Sequence, residues 1–557
     1  MNGAECFLGT LESAGVRFLF GTPGTTETEL LAKLDGFPEI EYLLVLHESV
    51  AVAMADGYAR ASGKPGVVNV HTTVGTANTL GMAINAYADY SPVVITAGIR
   101  DSRCLGGGVF CDSPLAVADL LRQYTLSSWQ CLEPGNIYRD TLGAFESALR
   151  PPQGPVFLAI PENFWTSDVE NVDRIILGTL NTQGAASDED VKEATRLITS
   201  AQRPVILAGN EVGKYNCGSL LVELAEALHA PVFSEERMSW AFLNFPNNHK
   251  LYCGCYDPQY ELIRDADLLI GVGSKMFMPF GYSTERKVDP QTKIVHLHSD
   301  ISRIGGEYPA NVPLAGGVKN NLSLVLGGLE TDELPTIDRG WEKLLLEHKE
   351  RRMQEMAERE KIQPEGERVG ASQLAAQLSE LAAPDAVLVN EGIRSGFYFQ
   401  DHFELPLSRS YFGYTGGCLG WGVPAAMGAK LAYPERQVIA VVGDGSFVFT
   451  NQALWTSARY GIGIKIVVCN NGGYMAVRSS LREHAGDDAC LVSGPQIGEF
   501  CQPAIDFVSL ARSFGVAAQR VEVAGMLQPI LEETLNTPGP ALVEVWVDST
   551  GLTSRPV

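Results

Sequence analysis

Short, nearly unbroken apolar runs alternate with helical-period segments along most of this chain, and no other feature restricts its fold as much. An apolar run of about four to eight residues with no polar face suits a strand covered on both sides. Helical segments between such runs supply right-handed crossovers, so the strands run parallel and the sheets are wound on both faces. The first set of strands is expected at 17–21, 42–47, 67–72, 92–97 and 155–160, with helices over 49–62 and 76–90. A second set follows at 204–209, 231–236, 266–273 and 293–300, and a third at 386–392, 437–445, 464–472 and 541–547. Turn-rich text near 166–190 separates the first two, and the charged stretch 340–362 suits a helical connector on the surface. A chain of 557 residues exceeds one core. The expectation is an α/β protein of three doubly wound parallel-sheet domains, 1–170, 190–330 and 365–557.

The third set carries the most specific signal. VIAVVGDGSFVFTNQALWTSARYGIGIKIVVCNNGGY (438–474) reads as strand, turn, helix, strand, turn. A right-handed crossover puts both turns at one carboxyl edge, so Asp444 in the first and Asn471 in the second can meet. A carboxylate, an amide oxygen and a backbone carbonyl are hard ligands that suit Mg²⁺, which completes its shell with phosphate and water. Gly443, Gly445, Gly472 and Gly473 allow main-chain N–H groups to approach a diphosphate. The net charge of −24 points the same way. It disfavours nucleic acid or an anionic membrane as partner, and leaves metal and N–H groups to hold any phosphate. A lone GDG could equally be a glycine-rich turn with no ligand. GDG (443–445), then 24 residues, then NN (470–471) across an intact βαβ unit is much more specific.

That pattern resembles the motif of thiamine-diphosphate enzymes. The whole chain is similar to the decarboxylase and acetolactate-synthase superfamily, and within it to the benzoylformate decarboxylases. The resemblance implies pyrimidine-binding, middle and diphosphate-binding domains in that order, with thiamine diphosphate and Mg²⁺ as cofactors. It implies metal ligation by Asp444, Asn471 and the Gly473 carbonyl, and cofactor contacts from Gly443, Gly445, Ser446 and Tyr474. HESVAVAMADGYARASGKPG (47–66) is similar to the family segment with the cofactor-activating glutamate, here Glu48. From the residues alone, Glu48 could be a helix-start carboxylate favoured by the dipole. Its neighbours Leu43–Leu46 and Val50 suggest a poorly hydrated carboxyl with a raised pKa, suited to proton transfer near neutrality. By resemblance it would hydrogen-bond the aminopyrimidine ring. GGCLGWGVPAAMG (416–428) is similar to the loop that bends the cofactor, with Leu419 as wedge and the Gly417 carbonyl as acceptor.

On the substrate side, Thr25 occupies the place of a carboxylate-contacting serine, although it could also cap the following helix. His71 follows an apolar strand where benzoylformate decarboxylases carry a catalytic histidine, and its near-neutral pKa suits a proton shuttle. Phe280 stands where a second histidine is expected and cannot move a proton. Phe110 is a further candidate for the pocket. Glu391 matches the family, whereas Ile393 and Arg394 replace small hydroxyl residues. The implied activity is decarboxylation of 2-oxo acids, aldehyde carboligation, or both, without a flavin. The alternatives are an acetolactate-synthase-like transferase and a non-catalytic binding subunit. GVGSKM (271–276) is too incomplete a glycine fingerprint for a dehydrogenase. The family builds its site from two subunits, so a homodimer or homotetramer is expected. The N-terminus lacks a signal-peptide pattern and no apolar run spans a bilayer, which suggests a cytoplasmic protein with reduced cysteines.

Overall fold

The computed structural model describes residues 1–105, 117–170, 184–277, 284–329, 337–361, 368–405, 409–485, 497–500 and 502–548. They form three parallel sheets in chain order. The first has the spatial order Glu41–Leu44, Phe18–Thr22, Gly66–His71, Val93–Ile99, Val156–Pro161, Ser127–Gln130. The second runs Val312–Ala315, Lys293–His298, Leu268–Val272, Pro204–Ala208, Val232–Ser234, Tyr252–Cys255. The third runs Val369–Gly370, Ala541–Asp548, Lys465–Asn470, Val438–Gly443, Val387–Glu391, Tyr411–Phe412, with Ala517–Val521 also paired to Ala541–Asp548. All pairings between these strands are parallel.

The central strands are those the apolar runs announce. Val93–Ile99 and Pro204–Ala208 are buried at every residue, as helices on both faces require. Six strands gave no such signal: Ser127–Gln130, Tyr252–Cys255, Val312–Ala315, Val369–Gly370, Tyr411–Phe412 and Ala517–Val521. Five lie at sheet edges and the sixth pairs off the main path, so packing on one side suffices and a continuous apolar run is not needed. The helix expected at 76–90 is Thr72–Ala88, which begins directly after the strand residue His71. The strand expected at 42–47 ends at Leu44.

Two backbone-distance contacts join the first and third domains. Helix Glu48–Ser62 lies on helix Gly422–Ala432 so closely that a Cβ on Gly57 would sit 2.1 Å from the Ala425 carbonyl oxygen. A Cβ on Gly428 would sit 2.0 Å from that of Met54. Beside this seam Arg60 is buried. It binds Asp56 at 2.7 Å, Asp89 at 3.0 Å and the Gly413 carbonyl at 2.6 Å, and stacks over Trp421 with 4.7 Å to the ring centre. Trp421 in turn donates its indole N–H to Asp56 at 2.7 Å. Removing one member of such a buried ionic group typically costs about 3–5 kcal/mol, because the rest stay desolvated and unpaired.

The seam makes a direct prediction. Gly57→Ala forces the two helices apart and should destabilise the protein by about 1–3 kcal/mol, read as a lower thermal midpoint. An unchanged midpoint would show that the helices are not held at this spacing.

Candidate active site

In open parallel sheets, ligands sit where adjacent strands send their chains in opposite directions. The first sheet has this point between Phe18–Thr22, which leads out to Glu41–Leu44, and Gly66–His71, which leads the other way to Val93–Ile99. Thr25–Glu27 follow the first of these strands, and His71 is the last residue of the second. Glu27 is wholly buried, and its carboxylate faces His71 Nδ1 at 3.1 Å. It also accepts the Gly24 N–H at 2.8 Å. The Thr26 hydroxyl lies 2.9 Å from the same His71 nitrogen, 2.8 Å from Glu27 and 2.9 Å from the Gly98 carbonyl oxygen. A Cβ on Gly24 would overlap the His71 ring at 2.2 Å, so glycine is what lets the ring lie against this turn. The hydrogen bond from Glu27 holds the His71 pKa above its ordinary value, with burial opposing. Glu27 and Thr26 were not singled out from the sequence, because their partner is over forty residues away and their spacing follows no motif. Thr25 itself is exposed and does not cap the turn; Gly24 occupies the N-cap position, with Glu27 bonded back to its N–H.

Glu48 is the first residue of its helix, one strand over from this crevice. Its carboxylate accepts the Asn78 amide at 3.0 Å and passes close to Gly75, both on helix Thr72–Ala88. The expectation of a dry carboxyl is corrected within one chain. Leu43, Val45 and Val50 turn into the core, whereas Glu48 is half-buried and Leu46 and Val74 nearby are exposed. The neighbouring apolar residues therefore do not cover it.

The third sheet has its own divergence point between Val387–Glu391, which leads to Tyr411–Phe412, and Val438–Gly443, which leads to Lys465–Asn470. Asp444 and the 471–473 turn meet here as the crossover argument expects. The Asp444 carboxylate accepts the Gly473 N–H at 2.7 Å, and burial pushes its pKa up to about 6. Asn471 Oδ1 is buried without a hydrogen-bond partner. Asn470 is turned away, bonded to Glu544 at 2.7 Å. Gly473 has φ +138°, and a Cβ there would strike the Gly498 carbonyl oxygen at 1.9 Å, so no other residue fits. Its own carbonyl accepts from the Met475 N–H at 2.9 Å and keeps a second lone pair. The Tyr474 ring lies over Gly445 and against Phe500, with 4.9 Å between ring centres. Ser446 is buried in the short helix Asp444–Phe447. A desolvated carboxylate beside an amide oxygen that has no donor is a donor set that suits a hard divalent cation.

The 416–422 loop borders the same crevice. Glu391 is fully buried and accepts the backbone N–H groups of Gly420, Trp421 and Gly422 at 2.7, 3.2 and 2.6 Å, while burial raises its pKa to about 7. Gly417 is exposed with φ +84°, and Leu419 beside it is half-buried. Ile393 also has a left-handed φ of +45°, which is strained for a β-branched residue. It lines a cavity of about 80 Å³ together with Glu391, Tyr414 and Gly417. Asn85 fixes the loop from the first domain of the same chain: it donates to the Cys418 carbonyl at 2.9 Å and accepts its N–H at 3.0 Å. Phe110 and Phe280, expected in the substrate pocket, lie outside the described residues.

The edge of the middle sheet is arranged differently. Buried Glu211 accepts the Ser299 N–H at 2.9 Å and its hydroxyl. Buried Glu235 accepts the Ser274 hydroxyl at 2.8 Å and the Lys275 N–H at 2.6 Å. The turn at 271–276 thus holds the chain's own carboxylates where a nucleotide phosphate would need room and positive charge. Among the described residues no helix is long and apolar enough to cross a membrane.

Comparison with known proteins agrees along the whole chain. The profile of the thiamine pyrophosphate enzyme N-terminal TPP binding domain matches residues 1–117, that of the central domain 191–325, and that of the C-terminal TPP binding domain 395–545. Benzoylformate decarboxylase from Pseudomonas aeruginosa is 30% identical, covering 96% of this chain and 97% of its own. A probable acetolactate synthase large subunit from Methanocaldococcus jannaschii is 28% identical, covering 98% and 92%. Among solved structures, a thiamine diphosphate-dependent 4-hydroxybenzoylformate decarboxylase from Rhodococcus jostii RHA1 matches with TM-score 0.85 at 26% identity, over 98% of this chain and 99% of that one.

The Glu27–His71 pair gives a pH-dependent prediction. A raised folded-state pKa means that the folded chain prefers charged His71. The pair's contribution to stability is therefore complete below the ordinary value of 6.5 and lost as pH rises through the raised value. Glu27→Gln should lower the His71 pKa seen by NMR. The gap in thermal midpoint between wild type and variant should narrow above neutrality; a gap independent of pH would contradict the pairing.

Proposed function

This chain belongs to the thiamine pyrophosphate enzyme family, and from that premise we propose that it is a lyase acting on 2-oxo acids, by non-oxidative decarboxylation, aldehyde carboligation, or both. The observation that carries this reading is the pairing of Asp444, anchored on the Gly473 N–H, with the partnerless buried oxygen of Asn471. These two and the Gly473 carbonyl would hold Mg²⁺, and Gly443, Gly445, Ser446 and Tyr474 would enclose the diphosphate. Gly417 and Leu419 would support the bend of the coenzyme, and Glu48 would hold its aminopyrimidine ring. When bound, thiamine diphosphate supplies a nucleophilic carbon and an electron sink for the pair left by departing carbon dioxide.

The chain's own residues would do the rest. His71, kept protonated further up the pH scale by Glu27, would deliver or hold a proton at the substrate. The exposed Thr25 hydroxyl would bind the substrate carboxylate from the neighbouring turn. We take the pyrimidine-binding, middle and diphosphate-binding domains as 1–170, 190–330 and 365–557.

We also propose that the complete site needs two chains, a homodimer at least, and a homotetramer by likeness to the family. Helix Thr72–Ala88 holds Glu48 through Asn78 and the 416–422 loop through Asn85. Seven helical steps separate these contacts, about 10 Å along the axis. The strand leading to Glu48 also meets the far end of the helix after Asp444: Tyr460 accepts the Leu44 N–H at 2.9 Å, and Thr456 donates to its carbonyl at 3.1 Å. Exposed apolar residues flank both halves, Leu46 and Val74 near Glu48 and Phe449 and Val477 near Asp444, as a covering second copy would require.

A panel of aromatic and aliphatic 2-oxo acids, each with and without an acceptor aldehyde, tests the activity in the presence of thiamine diphosphate and Mg²⁺. Carbon dioxide release without acceptor reports decarboxylation and aldehyde-dependent turnover reports carboligation; turnover only with a second 2-oxo acid as acceptor would favour the transferase. Glu48→Gln should slow proton exchange at the thiazolium carbon by about two orders of magnitude or more, and unchanged exchange would refute its role. Asp444→Ala should abolish Mg²⁺-dependent retention of the coenzyme.

A further inference from the structure

All three domains meet around a second cavity, of about 290 Å³, that takes no part in the chemistry above. Arg60 and Ser91 line it from the first domain, Lys214 and Tyr215 from the second, and Arg409 from the third. Its lining has three cationic side chains and no carboxylate, in a chain of net charge −24. The nearby carboxylates are engaged elsewhere. Asp56 and Asp89 bind Arg60, and Glu211 binds Ser299. Arg60 is thereby neutralised, which leaves Lys214 and Arg409 as the positive charges of the wall.

Both have donor capacity to spare. Lys214, 8% exposed, gives one hydrogen bond to the Tyr90 carbonyl at 2.7 Å, and its ammonium lies 5.3 and 5.2 Å from the Tyr90 and Tyr215 ring centres. Arg409 reaches the Ala61 and Lys214 carbonyls at 3.3 and 3.1 Å through its terminal nitrogens, while its buried Nε has no partner. The Ser91 hydroxyl, in a residue 2% exposed, is buried on the same wall without a partner. A buried donor left unsatisfied costs about 1–3 kcal/mol, and two such groups, Arg409 Nε and the Ser91 hydroxyl, beside a cavity whose charged lining is wholly cationic point to an acceptor ligand.

We propose that this three-domain junction binds a small oxyanion, an organic carboxylate or phosphate, between Lys214 and Arg409, with the Ser91 hydroxyl as a third donor. The Tyr90 and Tyr215 rings offer an apolar wall for the body of a carboxylate. Burial pushes the Lys214 pKa down to about 7, and a bound anion would restore its charge. The site is separate from the coenzyme crevices. Arg60 lies twelve residues along its helix from Glu48, about 18 Å away, so this inference does not depend on the roles proposed for Glu48 or Asp444. A ligand touching all three domains binds only their assembled arrangement and therefore stabilises it.

The test uses the holoenzyme, saturated with thiamine diphosphate and Mg²⁺ so that the diphosphate turn is filled. Sodium phosphate and sodium benzoate are titrated calorimetrically at an ionic strength held constant with chloride. Saturable binding of at least one anion, once per chain, is expected, and which one binds decides between phosphate and carboxylate. Lys214→Met and Arg409→Gln should each weaken that binding at least about fivefold, while Glu48→Gln should not change it. Absence of saturable binding by either anion, or a smaller loss in both variants, overturns the proposal. If neither variant folds, separate soaks of wild-type crystals in tungstate and in 4-bromobenzoate replace them. An anomalous peak from either anion within hydrogen-bond reach of Lys214 Nζ and the Arg409 guanidinium supports the site, and no peak there from both overturns it.

Discussion

A single buried guanidinium sets how the two outer domains face each other. Arg60 leaves the seam between helices Glu48–Ser62 and Gly422–Ala432 and pairs with both Asp56 and Asp89. It also binds the Gly413 carbonyl, just ahead of the loop that carries Gly417 and Leu419. Asp89 extends the tie to Thr415, accepting its N–H at 3.0 Å and its hydroxyl. A buried charge cluster has few alternative geometries, because any shift leaves a desolvated ion unpaired. The glycine contacts at Gly57 and Gly428 then fix the distance that the ions orient. The 413–422 loop is therefore held from both sides, by Glu391 beneath and by Asn85, Asp89 and Arg60 from the first domain.

The same rigidity separates the two ends of the proposed site within one chain. Glu48 begins the helix whose last turn holds Arg60, and it points toward Asn78 with Leu46 and Val74 exposed around it. The 471–473 turn lies at the carboxyl edge of the third sheet, bordered by exposed Phe449 and Val477. On the reading proposed above, each half has what the other lacks: an activating carboxylate without a metal-binding turn, and a metal-binding turn without that carboxylate. On the proposed reading, a second copy both completes the chemistry and dries Glu48, which its own neighbours leave half-exposed.

Much of this was legible in the sequence. Strands buried on both faces show as continuous apolar runs, so Val93–Ile99, Pro204–Ala208 and Val438–Gly443 could be read directly. The approach of Asp444 to the 471–473 turn followed from crossover geometry. Edge strands such as Ser127–Gln130 could not be read, because half-exposed strands need no apolar run. Glu27, Asn85 and Arg60 were also hidden: each is an ordinary polar residue whose partner is distant in sequence, and only the fold makes it unusual. Glu48 opens its helix, as the helix-start alternative has it, and within one chain it is half-buried where a poorly hydrated carboxyl was expected. An apolar neighbour in sequence covers a side chain only when both face the same way, and here Leu43, Val45 and Val50 face the core.

Subunit complementation tests the two-chain site most directly. Glu48→Gln and Asp444→Ala are purified separately, shown to be inactive, then mixed under conditions that exchange subunits. If each site joins Glu48 of one chain to Asp444 of another, every mixed dimer contains one intact site, and an equal mixture recovers ~25% of wild-type turnover. If both residues serve the coenzyme within one chain, no mixture contains an intact site. Activity that stays at the level of the separate variants, with subunit exchange verified, would contradict the account.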